Sequence, residues 1–492
     1  MEMQSRREFL RTVALGSLAF LLPCCSRVNN QTAPPNILFI MADDMGYGDP
    51  GCYNPESKAP TPTIDRLARE GMRFTDAHAP GAVCVPSRYG LLTGRYPFRM
   101  TREPGTSLIA PDRMTIGTLM QEHGYHTGCV GKWHLGFDGG TKLDRDFSTP
   151  MRGGPVDRGF DYYFGIPASL DIPPYYYIEN DQVVEPPTDH IAASSSEGWS
   201  PIQGAFWREG GIAPGFTHRE VLPEFAEKAV SFLDQHSQNH RDQPFFLYLA
   251  LAAPHTPWLP GEDYEGDSGA GMYGDFAVHV DAAIGRVLST LVELGLQQNT
   301  LVVFTSDNGP VWYDDDVEEF RHDSAGMLRG MKGDIWEAGH RMPFIARWPG
   351  HIRPGSESGE TICFTDMLAT FAGILEVDLP PEAGADSYNI LPILLEEEYE
   401  QPLREATIHY STARFFAIRQ GRWKLVPHRG SGGFSEPRRI TPGPGEPEGQ
   451  LYDMEVDPRE TTNLYQDRPE VVKRLSALLD SYRQQDRTVS SR

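Results

Sequence analysis

Apolar runs that suit buried strands alternate along the chain with segments of helical periodicity. Residues 36–41 are almost wholly apolar, as expected of a parallel strand that is covered on both faces. Two further runs, 245–249 and 301–304, have the same character. Between these two, apolar residues recur at helical spacing from Phe276 to Leu291. The alternation predicts a parallel, doubly wound α/β domain.

Shorter helices are predicted from the residues at their ends. Residues 63–70 suit a helix that has Thr63 as its N-cap and Gly71 just past its last turn. Residues 118–123 suit another helix, which Gly124 ends. A longer helix is predicted over 221–233, where apolar residues again fall at helical spacing.

The C-terminal part of the chain has a different pattern. Residues 376–404 are rich in proline and acidic residues and show no clear period, so we place a domain boundary at about residue 390. Beyond it, residues 415–426 predict a hairpin that turns at Gln420-Gly421. A strand over 451–453 and a helix over 469–485 follow. We therefore expect residues 391–492 to form a smaller α+β subdomain built on an antiparallel sheet.

The N-terminus has the features of an export signal. Arg6-Arg7 precede an apolar run over 12–23 that is too short to cross a bilayer as a stable helix. The pattern is typical of a bacterial twin-arginine signal, so we assign residues 1–33 to export and expect a periplasmic or extracellular protein. Cys24-Cys25 leave a lipid anchor open, although Pro23 is a poor match for the small residue expected there. We expect no transmembrane span elsewhere.

The charge of the chain limits its partners. Its 492 residues carry a formal net charge of −24, which argues against non-specific binding to nucleic acid or to anionic membranes. An anionic substrate would need a local cluster of cations. The acidic surface is equally consistent with a role in solubility alone.

The cysteines do not suggest a zinc site. Beyond the export signal there are four, Cys52, Cys84, Cys129 and Cys363, with no close pair among them. A zinc site built from cysteines is therefore not expected. One disulfide remains open in an oxidising compartment, without an assigned pairing.

Two of the apolar runs end in side chains that could bind a metal. The first ends in Asp43-Asp44 and the last in Asp307-Asn308. In open parallel sheets the ligand crevice lies at the carboxyl ends of the strands. Carboxylate and amide oxygens favour Ca²⁺ or Mg²⁺ over Zn²⁺. Asp and Asn also end strands simply because they are common in turns, but two pairs of this kind favour the metal site.

The segment around Cys84 carries the most specific signal. Cys84-Val85-Pro86-Ser87-Arg88 is followed by Leu92-Thr93-Gly94-Arg95. Here the sequence resembles the sulfatase family of the alkaline-phosphatase-like superfamily, closest to its arylsulfatase and N-acetylgalactosamine-6-sulfatase type. The resemblance implies a sulfuric ester hydrolase with an alkaline-phosphatase-like catalytic domain over 34–390, in which helices flank a mostly parallel sheet. It also implies that a formylglycine-generating enzyme oxidises Cys84 to formylglycine (3-oxoalanine).

Other segments resemble further site motifs of the family. They would place Lys132, His134, His255 and Lys332 in the catalytic site, beside Cys84 and Arg88, with Ser169 near the sulfate. By the same resemblance, Ca²⁺ would be bound by Asp43, Asp44, Asp307, Asn308 and the modified Cys84. Taken singly, each histidine or lysine is more simply explained as a surface or packing residue. Their joint appearance in family order favours the site.

The chemistry that the resemblance implies assigns roles to these residues. Arg88, Lys132 and Lys332 would neutralise the sulfate and hold it for attack by the hydrated aldehyde. His134 would be the base that releases sulfate and restores the aldehyde. His255, with or without Lys332, would be the acid that protonates the leaving oxygen.

The substrate is expected to be a sulfated glycan, with aryl sulfates as side substrates. Aromatic residues in the region 160–216 could stack on sugar rings, or could simply cover a long loop. Two other functions compete with this one. A phosphatase or phosphodiesterase of the same superfamily would bind two zinc ions, and a non-catalytic protein would bind the glycan without turnover.

Overall fold

Most strands lie in one large sheet. The structure, a computed structural model, describes residues 34–101, 103, 105–141, 145–399 and 402–489. The predicted export signal and Cys24-Cys25 therefore lie outside the described residues. The first six strands of the large sheet are β1 (Asn36–Asp43), β2 (Met72–His78), β3 (His126–Lys132), β4 (Tyr162–Ile166), β5 (Ile178–Glu179) and β6 (Gln182–Val183). The next two strands, β7 (Asp189–Ile191) and β8 (Gly210–Ile212), form a separate two-stranded sheet. The large sheet then continues with β9 (Phe245–Pro254), β10 (Thr300–Ser306), β11 (Arg341–Arg347), β12 (Ser356–Ser358) and β13 (Ile362–Cys363).

The middle of this sheet is parallel, as predicted. Its order is β12-β2-β11-β10-β1-β9-β3-β4-β5-β6, with β13 also paired to β2. The five neighbours from β10 to β4 all run parallel. The strand β11 is antiparallel to both β10 and β2, and β5 is antiparallel to β4. The alternation of apolar runs and helices therefore identified the parallel centre but not the antiparallel flanks.

Helices cover the sheet and continue into the C-terminal region. In chain order they are α1 (Pro62–Glu70), α2 (Cys84–Thr93), α3 (Ile116–Glu122), α4 (Val221–Asn239), α5 (Gly271–Glu293), α6 (Asp314–Phe320), α7 (Glu337–His340), α8 (Met367–Ile374), α9 (Leu391–Leu394) and α10 (Pro469–Gln484). No helix of the described residues is long and apolar enough to cross a membrane.

The ends of two helices differ from the predictions. The helix α1 starts at Pro62 with Thr61 as N-cap, so Thr63 lies inside it, because proline is favoured in a first helical turn. Gly71 is extended and not left-handed; a Cβ there would lie 2.3 Å from the carbonyl oxygen of Ala346 in β11. The helix α3 is capped by Thr115, whose hydroxyl accepts from the Thr118 N–H at 3.0 Å.

A separate antiparallel sheet forms the C-terminal region. Its strands follow one another in space as in sequence: β14 (Thr407–Tyr410), β15 (Phe416–Gln420), β16 (Trp423–Val426) and β17 (Gln450–Asp453). The predicted hairpin is β15 and β16, with Gly421 left-handed at its turn (φ 54°). Ile418, Leu425 and Leu475 of α10 belong to one buried apolar cluster. The boundary near residue 390 stays a prediction.

The register of the parallel strands brings the predicted site residues to one edge. Ala42 pairs with Ser306, so Asp43-Asp44 and Asp307-Asn308 leave adjacent strands side by side. Asp43 also pairs with Pro254, which places His255 beside them at the end of β9. Lys132 ends the next strand, β3. The fold therefore delivers acidic, cationic and histidine side chains to a single crevice.

Candidate active site

Four of the five predicted calcium ligands, Asp43, Asp44, Asp307 and Asn308, meet at this edge of the sheet. Asp43, Asp307 and Asn308 are fully buried, and Asp44 is 4% exposed. Asn308 Nδ2 donates to Asp44 Oδ1 at 2.6 Å, and the backbone N–H of Asp44 donates to Asp307 Oδ1 at 3.3 Å. Asp44 adopts a left-handed backbone (φ 65°), which turns its side chain out of the strand direction. Two strands therefore supply three carboxylates and one carboxamide to one point.

Cys84 lies against this group as the first residue of α2. Its thiol donates to Asp43 Oδ1 at 3.3 Å and lies 3.2 Å from Nζ of Lys132. The residue is 4% exposed. Burial, with Asp307 and Asp43 nearby, raises the pKa of the Cys84 thiol above its ordinary value. An unmodified Cys84 would thus be a protonated and poor nucleophile.

Arg88 follows one helical turn after Cys84 and shares its face of α2. Its guanidinium donates through Nε and Nη2 to Asp307 Oδ2, at 3.0 and 2.8 Å, and through Nη1 to the carbonyl oxygen of Lys132 at 2.9 Å. The side chain has no exposure to solvent. Such a two-donor contact to one carboxylate fixes the guanidinium in place.

Lys132 follows a position in β3 that only glycine can occupy. Gly131 has φ 124°, and a Cβ there would lie 1.9 Å from the carbonyl oxygen of Ala250. Lys132 is fully buried, and its Nζ donates to Asp43 Oδ2 at 2.5 Å. Burial alone would lower the pKa of Lys132, but Asp43 holds it above its ordinary value. The ammonium group therefore stays charged beside Cys84.

Lys332 reaches the site from the loop before α7. Its Nζ donates to both carboxylate oxygens of Asp44 at 2.6 Å. Its backbone N–H donates to the carbonyl oxygen of Pro310 at 2.8 Å, which anchors this loop next to Asn308. The charge of Asp44 raises the pKa of Lys332 against the opposing effect of burial.

Both predicted histidines lie near this crevice, among its charged side chains. The Nδ1 atom of His255 lies 2.6 Å from the carbonyl oxygen of Thr256, and its Nε2 lies 3.7 Å from Asp44 Oδ2. The Nδ1 atom of His134 is buried and has no hydrogen-bond partner among the described residues. Burial, then the charge of Lys132, lower the pKa of His134 well below its ordinary value. His134 is therefore neutral, as a base must be.

The carboxylates are crowded in a way that suits a cation. Burial, then repulsion from Asp43, raise the pKa of Asp307 to about 7. Burial would raise the pKa of Asp43 as well, but Lys132, His255 and Arg88 hold it well below its ordinary value. One acceptor is also left over, because Asn308 Oδ1 is buried and finds no partner in the described part of the chain. Oxygen donors in this number fit a hard divalent cation such as Ca²⁺.

Ser169 and Asp171 lie in the loop after β4. Ser169 is buried in the wall of a cleft lined also by Leu170 and Tyr175, which is where the structure places this predicted residue. Asp171 was not predicted. Its Oδ2 accepts from Arg208, whereas its Oδ1 is buried without a partner among the described residues. Burial would raise the pKa of Asp171, but His255, Arg208 and Lys332 hold it below its ordinary value, which places Asp171 near the crevice.

The aromatic residues of the region 160–216 mostly serve as packing. Tyr163, Tyr175 and Tyr176 are buried, and the hydroxyl of Tyr163 donates to backbone carbonyls. Trp199 stacks on Phe320 with ring centroids 5.5 Å apart. The sequence left open whether these rings stack on a sugar or cover a long loop. For most of them, burial favours the second explanation.

The comparisons with known proteins agree with the site. A family model described as "Sulfatase" matches residues 35–377, and another, "N-sulphoglucosamine sulphohydrolase, C-terminal", matches residues 332–485. The chain belongs to the sulfatase family. It is accordingly a hydrolase of sulfuric esters, with the alkaline-phosphatase-like fold that the motif around Cys84 implied.

Named relatives of this sulfatase include bacterial and animal enzymes. An N-acetylgalactosamine-6-O-sulfatase of Bacteroides thetaiotaomicron is 36% identical over 508 residues, which cover 95% of this chain and 97% of that protein. Human arylsulfatase A is 34% identical, over 88% of this chain and 83% of that protein. A solved structure from work on the metabolism of multiple glycosaminoglycans by B. thetaiotaomicron has a TM-score of 0.81 and 35% identity, and it covers 92% of this chain and 100% of that chain.

The described cysteines are all free. Cys52, Cys84, Cys129 and Cys363 form no disulfide with one another in the described part of the chain. Three of them are buried, and burial raises the pKa of Cys129 and Cys363. Cys84 differs from the others in its contacts with Asp43 and Lys132.

Proposed function

We propose that this sulfatase hydrolyses sulfate esters of a glycan, through a formylglycine made from Cys84 and with one bound Ca²⁺. The observation that carries the proposal is the position of Cys84. Its Sγ lies between a carboxylate of the metal-ligand group, Asp43 at 3.3 Å, and the ammonium of Lys132 at 3.2 Å. The side chain at this position would touch both the cation and a group that neutralises the substrate.

The cations of the chain are suited to binding the sulfate. Arg88, Lys132 and Lys332 are all nearly or fully buried, so their charges act in a medium of low dielectric constant. In the protein without substrate they are balanced by the buried carboxylates Asp43, Asp44 and Asp307. A cation that takes over these carboxylates leaves the lysine ammonium groups available to the sulfate oxygens.

The donor set fits the ion and the modified cysteine, and each would supply one part of the chemistry. Ca²⁺ would supply positive charge that polarises the sulfate, and the oxidised Cys84 would supply the attacking hydroxyl. The residues themselves hold and move protons. With a proton on both ring nitrogens, His255 would donate the one on Nε2 to the leaving oxygen, because its Nδ1–H donates to the carbonyl oxygen of Thr256. His134, neutral and unpaired at Nδ1, would accept a proton there.

A sulfated sugar is the proposed substrate class. The relative with 36% identity acts, by its name, on a 6-O-sulfated N-acetylgalactosamine. In this chain, the free Oδ1 of Asp171 offers a buried acceptor for a sugar hydroxyl near the crevice. N-acetylgalactosamine 6-sulfate is therefore the first substrate to test.

We further propose that Cys84 is oxidised before the chain folds and is exported. The folded protein exposes only 4% of Cys84, so a maturation enzyme could reach it only in the unfolded chain. The predicted twin-arginine signal exports folded proteins, which places the oxidation by a formylglycine-generating enzyme in the cytoplasm. The mature protein would then act in the periplasm or outside the cell, with or without a lipid anchor.

Peptide mass spectrometry across Cys84 and a desulfation assay test the proposal together. The protein is produced with and without a co-expressed formylglycine-generating enzyme. We expect an aldehyde or its hydrate at position 84 in the first case, with release of sulfate from N-acetylgalactosamine 6-sulfate. The Cys84→Ala variant, which cannot be oxidised, is the matched control and should release none.

The outcomes separate the parts of the proposal. Turnover by a protein that carries only an unmodified thiol would rule out the formylglycine. Cleavage of aryl sulfates alone, in a screen of sugars sulfated at defined positions, would rule out the glycan. Two zinc ions and no calcium in the active protein would favour the phosphatase alternative.

A further inference from the structure

Three histidines outside the candidate active site meet in the interior of the protein. His78 ends β2, His340 ends α7 and His409 lies in β14, and all three have no exposure to solvent. One nitrogen from each lies within 4.8 Å of the others. We call these residues the histidine cluster. It joins the large sheet to the C-terminal antiparallel sheet, and the predicted sulfatase chemistry does not use it.

The hydrogen bonds of His78 and His340 leave two nitrogens facing each other. Nε2 of His78 lies 3.0 Å from Asp76 Oδ1, and Nε2 of His340 lies 3.2 Å from the carbonyl oxygen of Ile335. Each oxygen is an acceptor, so Nε2 of His78 carries its proton, and Nε2 of His340 does so unless it accepts from Lys424 Nζ, 3.2 Å away. With both protons on Nε2, the two Nδ1 atoms hold lone pairs, and they lie 3.0 Å apart. Two lone pairs at this distance repel each other unless a metal ion or a proton lies between them.

His409 provides an independent observation. Both of its ring nitrogens are buried, and neither has a hydrogen-bond partner among the described residues. A buried imidazole with no partner is unfavourable unless an ion or another group satisfies it. His409 is therefore available as a third ligand.

The surroundings keep the three rings neutral, which is the form that binds metal ions. Burial is the main cause that lowers the pKa of each of them. The charged groups around the cluster are balanced in sign. They are Asp76, Glu337, Glu460, Arg341, Arg419 and Lys424.

We propose that His78, His340 and His409 bind a transition-metal ion that prefers imidazole nitrogen, with zinc(II) as the first candidate. The separation of the two Nδ1 atoms is compatible with an ion at about 2.0–2.1 Å from each. The contacts of His78 with Asp76 and of His340 with Ile335 match the outer hydrogen bonds that orient metal-bound histidines. This ion would be distinct from the calcium, which prefers the oxygen donors around Asp43.

Binding requires one local movement. The rings of His340 and His409 are stacked, with centroids 3.9 Å apart and an angle of 9° between their planes. Lone pairs of parallel rings do not converge, so the His409 ring has to rotate about its side-chain bonds. The rotation breaks no hydrogen bond between its nitrogens and the residues that the structure describes, because they make none there. The ion would then link β2 to β14 and stabilise the junction of the two sheets.

Without a metal, a proton between the Nδ1 atoms of His78 and His340 could hold the cluster together. Lys424 Nζ lies 3.2 Å from His340 Nε2, and also 2.9 Å from Glu337 Oε1. If Lys424 donates to His340, the proton of His340 moves to Nδ1 and points at His78. The cluster would then be held by hydrogen bonds alone. Metal analysis distinguishes the two arrangements.

The test is the metal content of the mature, full-length protein, made without a histidine tag and kept in excess calcium. We expect about one zinc ion per chain in addition to calcium. The zinc should be lost in His78→Ala and in His409→Ala, with calcium retained. The matched control is His240→Ala. This histidine belongs to a stack with His126 and His236 that could bind zinc adventitiously, and its removal should leave the zinc content unchanged.

A second measurement holds even if these variants fail to fold. Wild-type protein is treated with a zinc-selective chelator in excess calcium, and its melting temperature is followed. We expect the melting temperature to fall and to be restored by added zinc. A wild-type protein that contains no transition metal, and whose melting temperature zinc does not raise, would overturn the proposal. So would zinc that is lost only in His240→Ala.

Discussion

The Nζ atom of Lys332 lies 2.6 Å from both carboxylate oxygens of Asp44, although 288 positions separate the two residues in the chain. Both side chains are almost completely buried, so little solvent competes with the ion pair. The pair links the loop before α7 to the end of the central strand β1. It therefore places an ammonium group next to the proposed metal ligands and holds it there.

We expect Lys332→Ala to lower kcat/KM by about 10²–10³-fold, since a buried charge that faces the sulfate is lost. Lys332→Arg should recover only part of this loss, because a guanidinium is larger and cannot occupy the same point between two oxygens. Steady-state kinetics on one sulfate ester measure the effect. The control is Lys228→Ala, a substitution of a half-buried lysine at the surface. A Lys332→Ala variant with wild-type kcat/KM would show that Lys332 serves only to balance Asp44.

Calcium removal should destabilise the protein through Asn308 and the carboxylates beside it. A ligand at 100 times its Kd stabilises the folded state by about 2.7 kcal/mol, so the melting temperature should fall with a chelator and recover with Ca²⁺. Asn308→Ala removes the unpaired buried oxygen and should raise the Kd for calcium. Calcium titrations followed by melting temperature measure both effects. Equal calcium affinity in Asn308→Ala and the wild type would remove Asn308 from the ligand set.

The amino-acid sequence predicts those parts of the fold in which both faces of a strand are buried. Residues 36–41 and 301–304 are apolar on both sides because both faces of these strands are buried, and the residues themselves show this. The position of the site could be predicted from the same apolar runs, because Asp43 and Asp307 stand at the ends of adjacent strands. The roles of these residues stay predictions.

The other features of the fold and the site depend on contacts between distant parts of the chain, which local sequence patterns do not predict. The strand β11 lies antiparallel beside β10, and its residues 341–347 begin and end with arginine. Asp171 comes near His255 only through the path of a proline-rich loop. The helix α1 starts at Pro62, one residue before the predicted N-cap, Thr63. Long-range contacts determine the direction of β11 and the position of Asp171, and such contacts produce no periodic pattern in the sequence.

The contribution of His255 should depend on the leaving group. Its Nδ1 is engaged by Thr256, so Nε2 is the atom that can donate a proton. Aryl sulfates release a stable phenolate and need little protonation, whereas sugar sulfates release an alkoxide. General acid catalysis contributes about 10²–10⁴-fold, so His255→Ala should lose this factor on sugar sulfates and much less on nitrophenyl sulfate. Equal losses on both substrates would contradict an acid role and indicate a positioning one.

Asp171 should affect the glycan and not the sulfate group. Its unpaired Oδ1 can accept from a sugar hydroxyl, whereas an aryl sulfate offers no such donor. We expect Asp171→Asn to raise KM for a sulfated sugar by about tenfold, because a hydrogen bond to a neutral amide oxygen is weaker than one to a charged carboxylate. KM for nitrophenyl sulfate should stay as in the wild type. Arg208→Ala, which frees the other oxygen of Asp171, is the companion variant, and an equal change on both substrates would place Asp171 outside the sugar site.

His218 makes the folded state sensitive to acid. The ring stacks on Trp207 and meets the edge of Tyr175, with centroids 4.8 and 4.5 Å away. Its Nε2 is buried without a partner among the described residues, and burial lowers the pKa of His218 from 6.5 to about 4. Protonation would therefore place a charge among aromatic rings.

The sign of the effect follows from this lowered pKa. Above about pH 6.5 neither the folded nor the unfolded chain protonates His218, so the residue adds no pH dependence. As the pH falls from 6.5 towards 4, the unfolded chain takes up a proton that the folded chain refuses, and stability declines. For this residue alone, the free energy of unfolding should drop by up to about 2 kcal/mol between pH 7 and pH 5. Urea titrations of wild type and His218→Phe at both pH values measure it. The variant should lose less stability than the wild type over this interval, and parallel losses in the two proteins would show that His218 is protonated in the folded state.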